Sequence, residues 1–225
     1  MTKLTIITLA AAITAVGCTS EGYETGDSQL SYMRADFVEV HTDGDKAIDC
    51  AVTDDGERLA VAKPFHASWA ERPDTLYRAL LYYNRIGNTD SESEAEVIAS
   101  AQIMVVRPHR KDEIKDMRTD PVTFESLWMS RTGRYLNLGF TLKTGTPEDD
   151  KAVQTVAVAN EGTVVSSDGK KTAILRFFHD QGGVPQYYSS STYISIPMTD
   201  FSADSVRFAI NTYQGEMVKT VAIKH

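Results

Sequence analysis

Residues 135–145 read YLNLGFTLKTG, and this stretch decides the fold class of the chain. Leu136, Leu138, Phe140 and Leu142 occupy every second position, with polar or small residues between them. Successive side chains of a β-strand point to opposite faces, so this alternation predicts a strand that buries one face in a hydrophobic core. The preceding residues, RTGR after the strand-like run VTFESLWMS, predict a turn between two neighbouring strands.

The rest of the C-terminal half repeats this pattern. Further short runs are rich in β-branched and aromatic residues, and the glycine in TYQGEM predicts the turn of a final hairpin. These runs are AVQTVAVAN, TAILRFFHD, STYISIPM, SVRFAINTY and EMVKTVAIKH. Together with the first two runs they make seven strands, a number and spacing that predict an immunoglobulin-like β-sandwich over residues 122–225.

The N-terminal half contains more strand-like runs, separated by turn sequences such as HTDGDK and TDDGE in which Asp-Gly pairs favour hairpins. The runs are YMRADFVEV, AIDCAV, RLAVA, TLYRALLYYNRIG and SEAEVIASAQIMVVRP. In the fourth run, Leu76 and Leu80 share one face of the strand. The pattern predicts an all-β chain with a small barrel over residues 30–108. The charged segment 109–121, HRKDEIKDMRTDP, is predicted to link the two domains.

The N-terminus has the layout of a secretory signal peptide. Lys3 precedes an uncharged run that ends at Gly17, and this run is too short to cross a bilayer, which needs about 20 apolar residues. Residues 1–17 are therefore predicted to be a signal peptide. The polar and acidic residues 18–29 lack an apolar pattern and are predicted to form a flexible tether.

The residues around Cys18 resemble the lipobox of bacterial lipoproteins. The sequence Ala15-Val16-Gly17-Cys18 has small residues before the cysteine, although such signals usually have leucine where Ala15 stands. The resemblance implies that Cys18 is the lipid-attachment residue, carrying diacylglycerol and palmitate. Ser20 does not resemble the aspartate that retains lipoproteins in the inner membrane, so the outer membrane is the expected location, on its periplasmic face or at the cell surface.

The charge of the chain argues against a nucleic-acid partner. The formal net charge is −8, and most of the acidic excess lies in residues 18–118. Binding to a phosphate backbone depends on Lys and Arg side chains that neutralise phosphates. The one short basic run, HRK at residues 109–111, is followed at once by Asp112 and Glu113, so we interpret it as a solvated loop.

No motif in the sequence predicts catalysis, a metal site or a cofactor. The histidines lack zinc-site spacing, and no Gly-x-Ser-x-Gly nucleophile elbow occurs. His179 and Asp180 are adjacent, but on a strand they would point to opposite faces. The paired carboxylates Asp54-Asp55 and Asp149-Asp150 lie in predicted turns without the spacing of a calcium loop. Cys50 is predicted to be a small buried residue rather than a reactive thiol.

Tyrosines offer a candidate binding surface. They occur in LLYYNR and in QYYSSSTY, where serines flank them, and such residues can form hydrogen-bonding recognition surfaces. The alternative is that they are ordinary, half-buried strand aromatics. If they bind a ligand, the acidic charge favours a saccharide or a protein over nucleic acid. The residues concerned are Tyr82, Tyr83, Tyr187, Tyr188 and Tyr193.

The order of these features resembles the NigD-like family of lipoproteins from Gram-negative bacteria. The segments that carry the resemblance follow the lipobox and span nearly the whole mature chain. They are GYETGDSQLSYMRADFVEV, DDGERLAVAKP, FESLWMSRTGRYLNLGFTL, LRFFHD and RFAINTYQGE. The resemblance implies an N-terminal OB-type barrel and a C-terminal β-sandwich. It implies no established activity and no catalytic residues, and the bacteriocin-linked gene neighbourhood of the family hints at an immunity role.

The expected function is that of a lipid-anchored envelope protein without enzymatic activity, which serves in binding or interaction. Its expected partners are the membrane, through the lipid on Cys18, and a saccharide or protein ligand. An envelope hydrolase that acts on glycans or peptides is one alternative, and a bacteriocin-immunity-type protein is another.

Overall fold

A computed structural model describes residues 33–88, 93–114, 118–149 and 151–223 of the chain. The predicted signal peptide, the predicted lipid-attachment residue Cys18 and the predicted tether lie outside the described residues. The described part is built from β-strands, with one short 3₁₀ turn at Lys111–Glu113. None of the described residues belongs to a helix with the length and apolar character needed to cross a membrane.

The N-terminal domain is a closed barrel of five strands. The strands are β1 (Arg34–Thr42), β2 (Ile48–Thr53), β3 (Arg58–Phe65), β4 (Leu76–Asn88) and β5 (Ser93–Gln102). Their order around the barrel is β1-β2-β3-β5-β4, and β1 closes the barrel by pairing with both β2 and β4. The β3–β5 pair is parallel and the other pairs are antiparallel.

The barrel interior is filled by apolar residues that alternate along the strands. Val38 and Val40 of β1 face Ala79, Leu81 and Tyr83 of β4, and all are buried. Leu76 and Leu80 share a face as predicted, but it is the outer face of β4, and Leu76 is 61% exposed. Closure of the sheet removes the free edges that would otherwise invite pairing with other chains.

The C-terminal domain is a sandwich of two sheets. Its main strands are β8 (Thr123–Met129), β9 (Tyr135–Thr144), β10 (Thr155–Val165), β11 (Lys171–Asp180), β12 (Tyr188–Pro197), β13 (Ser205–Thr212) and β14 (Gly215–Ala222), preceded by two short strands, β6 (Met104–Val105) and β7 (His109–Arg110). One sheet has the order β14-β13-β11-β10-β7, and the other has the order β6-β12-β9-β8. The predicted all-β fold, an OB-like barrel followed by a β-sandwich, is confirmed.

The alternation in β9 fills the core between the two sheets. Leu136, Leu138, Phe140 and Leu142 are buried there, and the Phe140 ring makes an edge contact with Phe177 of β11, with centroids 5.0 Å apart. Side chains of this size contribute about 1.5–3 kcal/mol each on burial, so this strand supplies a large share of the stability of the domain.

Short strands join the two domains. Ile103 alone separates β5 of the barrel from β6, which pairs in parallel with β12 of the sandwich. The stretch 109–121, predicted to be a linker, contains β7, which pairs in parallel with β10. Part of this stretch is therefore built into the sandwich, and strands of only two residues leave no periodic signal in the sequence.

Candidate functional site

The barrel packs against the outer face of the β6-β12-β9-β8 sheet. In β9, Asn137 and Gly139 point away from the sandwich core, yet both are buried: the barrel covers Asn137, and the side chains of Tyr193 and Ser126 cover Gly139. In β1, Glu39 lies between Val38 and Val40 on the outside of the barrel and is only 8% exposed. The contact between the domains therefore buries polar residues, and these need partners across the contact.

Arg78 of β4 is the centre of this contact. Its guanidinium donates to the Asp54 carboxylate at 2.6 Å, to Ser195 Oγ at 3.0 Å and to Asn137 Oδ1 at 3.3 Å. The Asn137 amide in turn donates to Asp54 at 2.7 Å, and Ser195 donates to Asn137 at 2.7 Å. The guanidinium also stacks 4.3 Å from the centre of the Tyr135 ring. Two barrel residues and three sandwich residues thus share one buried network.

The ionisation of the network reflects its burial. Burial raises the pKa of Asp54 above its ordinary value, although the ion pair and hydrogen bond with Arg78 oppose this shift. Tyr135 donates its hydroxyl to Glu39 at 2.7 Å, and Arg134 forms an ion pair with the same carboxylate. Burial and the bond to Glu39 raise the pKa of Tyr135 to about 12.

Aromatic rings cover the network on one side. Phe37 of β1 makes edge contacts with Trp128 of β8 at 5.2 Å and with Tyr193 of β12 at 5.4 Å between ring centres. Gly139 lies beneath the Tyr193 ring, and a Cβ at this position would lie 2.9 Å from the ring and 2.6 Å from Ser126 Oγ. The glycine is therefore required for the Tyr193 ring to lie across the sheet and reach the barrel.

Two clefts open along the contact between the domains. Arg78 lines the larger and Asp54 the smaller, so their ion pair lies between them. The larger cleft has a volume of about 950 Å³ and takes its walls from both domains. Its size and its place at a domain boundary are typical of small-molecule sites.

The larger cleft has a mixed lining. Leu76 and Val105 are exposed apolar residues at its surface, and Phe178 lies deeper. Its charged lining residues are Glu39, Arg78, Arg107, Arg118, Arg134 and Asp180. Arginine is thus the most frequent charged residue here, in a protein whose net charge is −8.

The smaller cleft, of about 510 Å³, is acidic and aromatic. It is lined by Asp36, Phe37, Asp54, Asp55 and Trp128, among others. The two carboxylates of the predicted pair Asp54-Asp55 therefore have different partners. Asp54 holds Arg78, and Asp55 lies 3.3 Å from the exposed Arg131. Among the residues that the structure describes, no group of three or more His, Cys, Asp or Glu side chains is arranged to hold a metal ion.

His179 and Asp180 do not act as a pair. His179 is buried in the sandwich, with its Nδ1 atom 3.2 Å from the Asp120 carbonyl oxygen, whereas Asp180 lines the larger cleft. Burial lowers the pKa of His179, so its neutral form is favoured. Within the described part of the chain, its Nε2 atom has no hydrogen-bond partner.

The tyrosines singled out in the sequence are not brought together as one surface. Tyr83 is fully buried in the barrel and donates to Asp36 at 2.8 Å, and Tyr193 lies in the contact between the domains. Tyr187 and Tyr188 are exposed. The sequence does not single out the arginines of the larger cleft, because three of the four lie in loops or turns and the cleft exists only once both domains are in place.

Several solved structures are similar to this protein over most of the chain. A protein of unknown function, DUF1344, from Bacteroides vulgatus has a TM-score of 0.66 at 16% identity, over 86% of this chain and 92% of that one. A NigD-like immunity protein from Bacteroides caccae has a TM-score of 0.61 at 21% identity, over 83% and 91%. A predicted lipoprotein from Bacteroides fragilis has a TM-score of 0.58 at 11% identity, over 85% and 98%. At these identities the likeness shows a shared fold.

The family match is more specific. No curated protein sequence matches the chain. The model of the NigD-like C-terminal beta sandwich domain matches residues 102–225, which is more than half of the chain and begins just before β6. The chain therefore belongs to the NigD-like family, as its sequence motifs predict.

Proposed function

We propose that this protein is a lipid-anchored envelope protein without enzymatic activity, and that it binds a ligand in the larger cleft between its barrel and its sandwich. The observation that carries the proposal is the cleft itself, about 950 Å³ in volume and walled by both domains. A site of this kind needs walls that keep their relative position. The buried hydrogen bonds of Arg78 to Asn137 and Ser195 supply that fixed geometry.

The carboxylates of the cleft support binding rather than hydrolysis. Glu39 accepts a hydrogen bond from Tyr135 and pairs with Arg134. Asp180 accepts a hydrogen bond from the Gly182 amide at 2.9 Å. An acid–base pair for glycan or peptide hydrolysis needs groups that are available to the substrate. Glu39 is engaged by Tyr135 and Arg134 and is 8% exposed, which leaves Asp180 without an available second carboxylate in the cleft.

The proposed anchor is the lipid on Cys18. Two acyl chains suffice for stable membrane attachment, and the similar Bacteroides fragilis structure is of a predicted lipoprotein. Feeding cells a clickable palmitate analogue tests this step. We expect label on the wild type, no label on Cys18→Ala, and full label on the control Cys50→Ala. A wild-type protein without label, or equal label on Cys18→Ala, would overturn the anchor.

The binding step is tested by filling the cleft. Thr199 is exposed and lines the cleft, so Thr199→Trp places a large side chain there without disturbing a core. The control is Thr220→Trp, at an exposed position on β14 outside the cleft. Saccharides and short peptides are screened for an increase in thermal stability. We expect hits that Thr199→Trp loses and Thr220→Trp keeps. Hits that bind both variants equally would contradict the cleft as the site.

An immunity-type role is the second candidate, favoured by the fold shared with the NigD-like immunity protein from Bacteroides caccae. In this role the anchored protein captures a toxin at the envelope. The test compares survival of cells with and without the gene when they are grown with related toxin-secreting strains. Protection that requires Cys18 and the open cleft supports this role, and equal survival of both cell types counts against it.

A further inference from the structure

We propose that the larger cleft receives an oxyanion-bearing ligand, one with carboxylate, sulfate or phosphate groups, and that Arg107 and Arg118 bind these groups. This inference rests on the proposed function, because it names the chemistry of the ligand for the same site. It follows from the hydrogen-bond donors and acceptors that the protein leaves available inside the cleft.

Two of the four arginines in the cleft have close partners in the protein, Arg78 fully and Arg134 in part. Arg78 is 3% exposed and donates to Asp54, Asn137 and Ser195. Arg134 is paired with Glu39. Arg78 therefore has little capacity left for a ligand, whereas Arg134 is held by Glu39 and keeps 46% of its side chain exposed.

The other two keep their donors available. Among the residues that the structure describes, the carboxylate nearest to Arg107 is that of Asp200 at 3.9 Å, and the two side chains are 73% and 80% exposed, so this pair contributes almost nothing. Arg118 is exposed and makes no hydrogen bond or ion pair with any of the residues that the structure describes. A guanidinium carries five N–H donors and no acceptor.

The two carboxylates of the cleft are more engaged than these two arginines. Both carboxylates that line it, Glu39 and Asp180, already accept hydrogen bonds from Tyr135 and from the Gly182 amide. The exposed guanidiniums of the cleft therefore offer more donors than its two carboxylates offer acceptors. A ligand that complements it must bring acceptors, and the planar fork of arginine fits carboxylate, sulfate and phosphate oxygens in pairs.

The apolar residues that line the cleft restrict the class of ligand further. Leu76 is 61% exposed and Val105 is 38% exposed at the cleft, where they can contact carbon-bound hydrogens of a ligand. A bare inorganic ion would not use these residues. The lining thus favours anionic groups carried on a carbon frame, such as those of an acidic saccharide. The net charge of −8 opposes long-range attraction of such a ligand, so the affinity must come from close contacts.

Isothermal titration calorimetry on the purified folded chain tests the inference with four probes. These are trigalacturonate, a sulfated disaccharide, inorganic tripolyphosphate and the neutral maltotriose. We expect at least one anionic saccharide to bind, and more tightly than both maltotriose and tripolyphosphate. Differences between the anionic probes identify which oxyanion the site prefers.

Variants make the test specific to the two arginines. Arg107→Gln/Arg118→Gln should weaken binding of the anionic probe at least about tenfold, because charge-assisted hydrogen bonds are lost. Arg207→Gln removes the charge of an exposed arginine on β13, outside the cleft, and should leave the affinity unchanged. Circular dichroism confirms that each variant is folded.

Failure of this inference can be told apart from failure of the proposed function. If no anionic probe binds, or if the double variant binds as tightly as the wild type, the oxyanion inference is wrong. The proposed function survives either result if a neutral ligand binds the wild type and Thr199→Trp abolishes that binding. If no ligand of any charge is sensitive to Thr199→Trp, both are wrong.

Discussion

Arg78 and Asp54 form an ion pair at 2.6 Å where the barrel meets the sandwich, and their side chains are only 1% and 16% exposed. Both residues belong to the barrel, but the hydrogen bonds that complete the pair come from Asn137 and Ser195 of the sandwich. The pair is therefore fully satisfied only when the two domains are docked. This makes it a structural link between the domains and a wall shared by the two clefts.

Arg78→Ala should be strongly destabilising, since it leaves the Asp54 carboxylate buried without its partner. We expect a loss of about 3–5 kcal/mol in the free energy of unfolding, measured by urea denaturation. The double variant Arg78→Ala/Asp54→Ala should lose less than the sum of the single variants, because the partners interact directly. The control is Arg131→Ala, which removes an exposed pair with Asp55 and should change stability by less than about 1 kcal/mol. Equal effects of Arg78→Ala and Arg131→Ala would contradict the role given to Arg78.

Gly139→Ala tests the docking of the domains through the Tyr193 ring. The added Cβ would lie 2.6 Å from Ser126 Oγ and 2.9 Å from the Tyr193 ring, so both side chains must move. We expect a loss of about 1–3 kcal/mol in thermal or urea unfolding. Gly44→Ala is the matched control, because a Cβ at that position meets no atom within 4 Å. A Gly139→Ala protein as stable as wild type would show that the ring does not need this close approach.

The strands and their grouping into two domains follow from the sequence, because alternation along a strand is a local signal. The twelve strand-like runs correspond to β1–β5 and β8–β14. The signal identifies which residues share a face, but not which face is covered. Leu76 and Leu80 share the outer face of β4, and the core takes Ala79 and Leu81 instead.

Register shifts between paired strands are also not predicted by the alternation in the sequence. The pairing of β2 with β3 shifts register between Ile48 and Cys50, so Ile48 and Ala51 point into the barrel. Cys50 therefore lies on the other face of β2 and is only partly buried, although the alternation in the sequence predicts that it is buried.

The candidate site depends on contacts between residues far apart in the chain. Arg78 and Ser195 are 117 positions apart, and neither has neighbours in sequence that mark it as part of a polar network. The cleft arginines likewise become a group only after docking of the barrel on the sandwich. The sequence therefore predicts a binding protein in general terms, from the lipobox, the two β-rich halves and the absent catalytic motifs, but its candidate surface lies on tyrosines that the fold separates.

Alkaline pH should weaken the contact between the domains. The pKa of Tyr135 is raised to about 12 from an ordinary value of 10.0, so the folded state holds its proton more tightly than the unfolded state does. The stabilisation is complete below pH 10 and is lost as the pH rises towards 12. Urea denaturation between pH 9 and pH 12 should therefore show falling stability. Tyr135→Phe should flatten part of this fall, whereas Tyr187→Phe, at a position 77% exposed, should not. Identical pH profiles for Tyr135→Phe and the wild type would contradict this expectation.

Mildly acidic pH should destabilise the sandwich through His179. Burial lowers its pKa below the ordinary value of 6.5, and only partial compensation comes from the Asp120 carbonyl and the carboxylates of Asp120 and Asp180. The unfolded chain therefore binds this proton more readily, so stability is complete above pH 6.5 and falls as the pH drops below it. Urea denaturation at pH 7.5, 6.5 and 5.5 measures this slope above the range in which carboxylates of ordinary pKa titrate. His179→Gln should reduce the slope whatever its effect on absolute stability, and His66→Gln, at an exposed position, is the matched control. A slope that is the same in wild type and His179→Gln would show that another group carries the acid sensitivity.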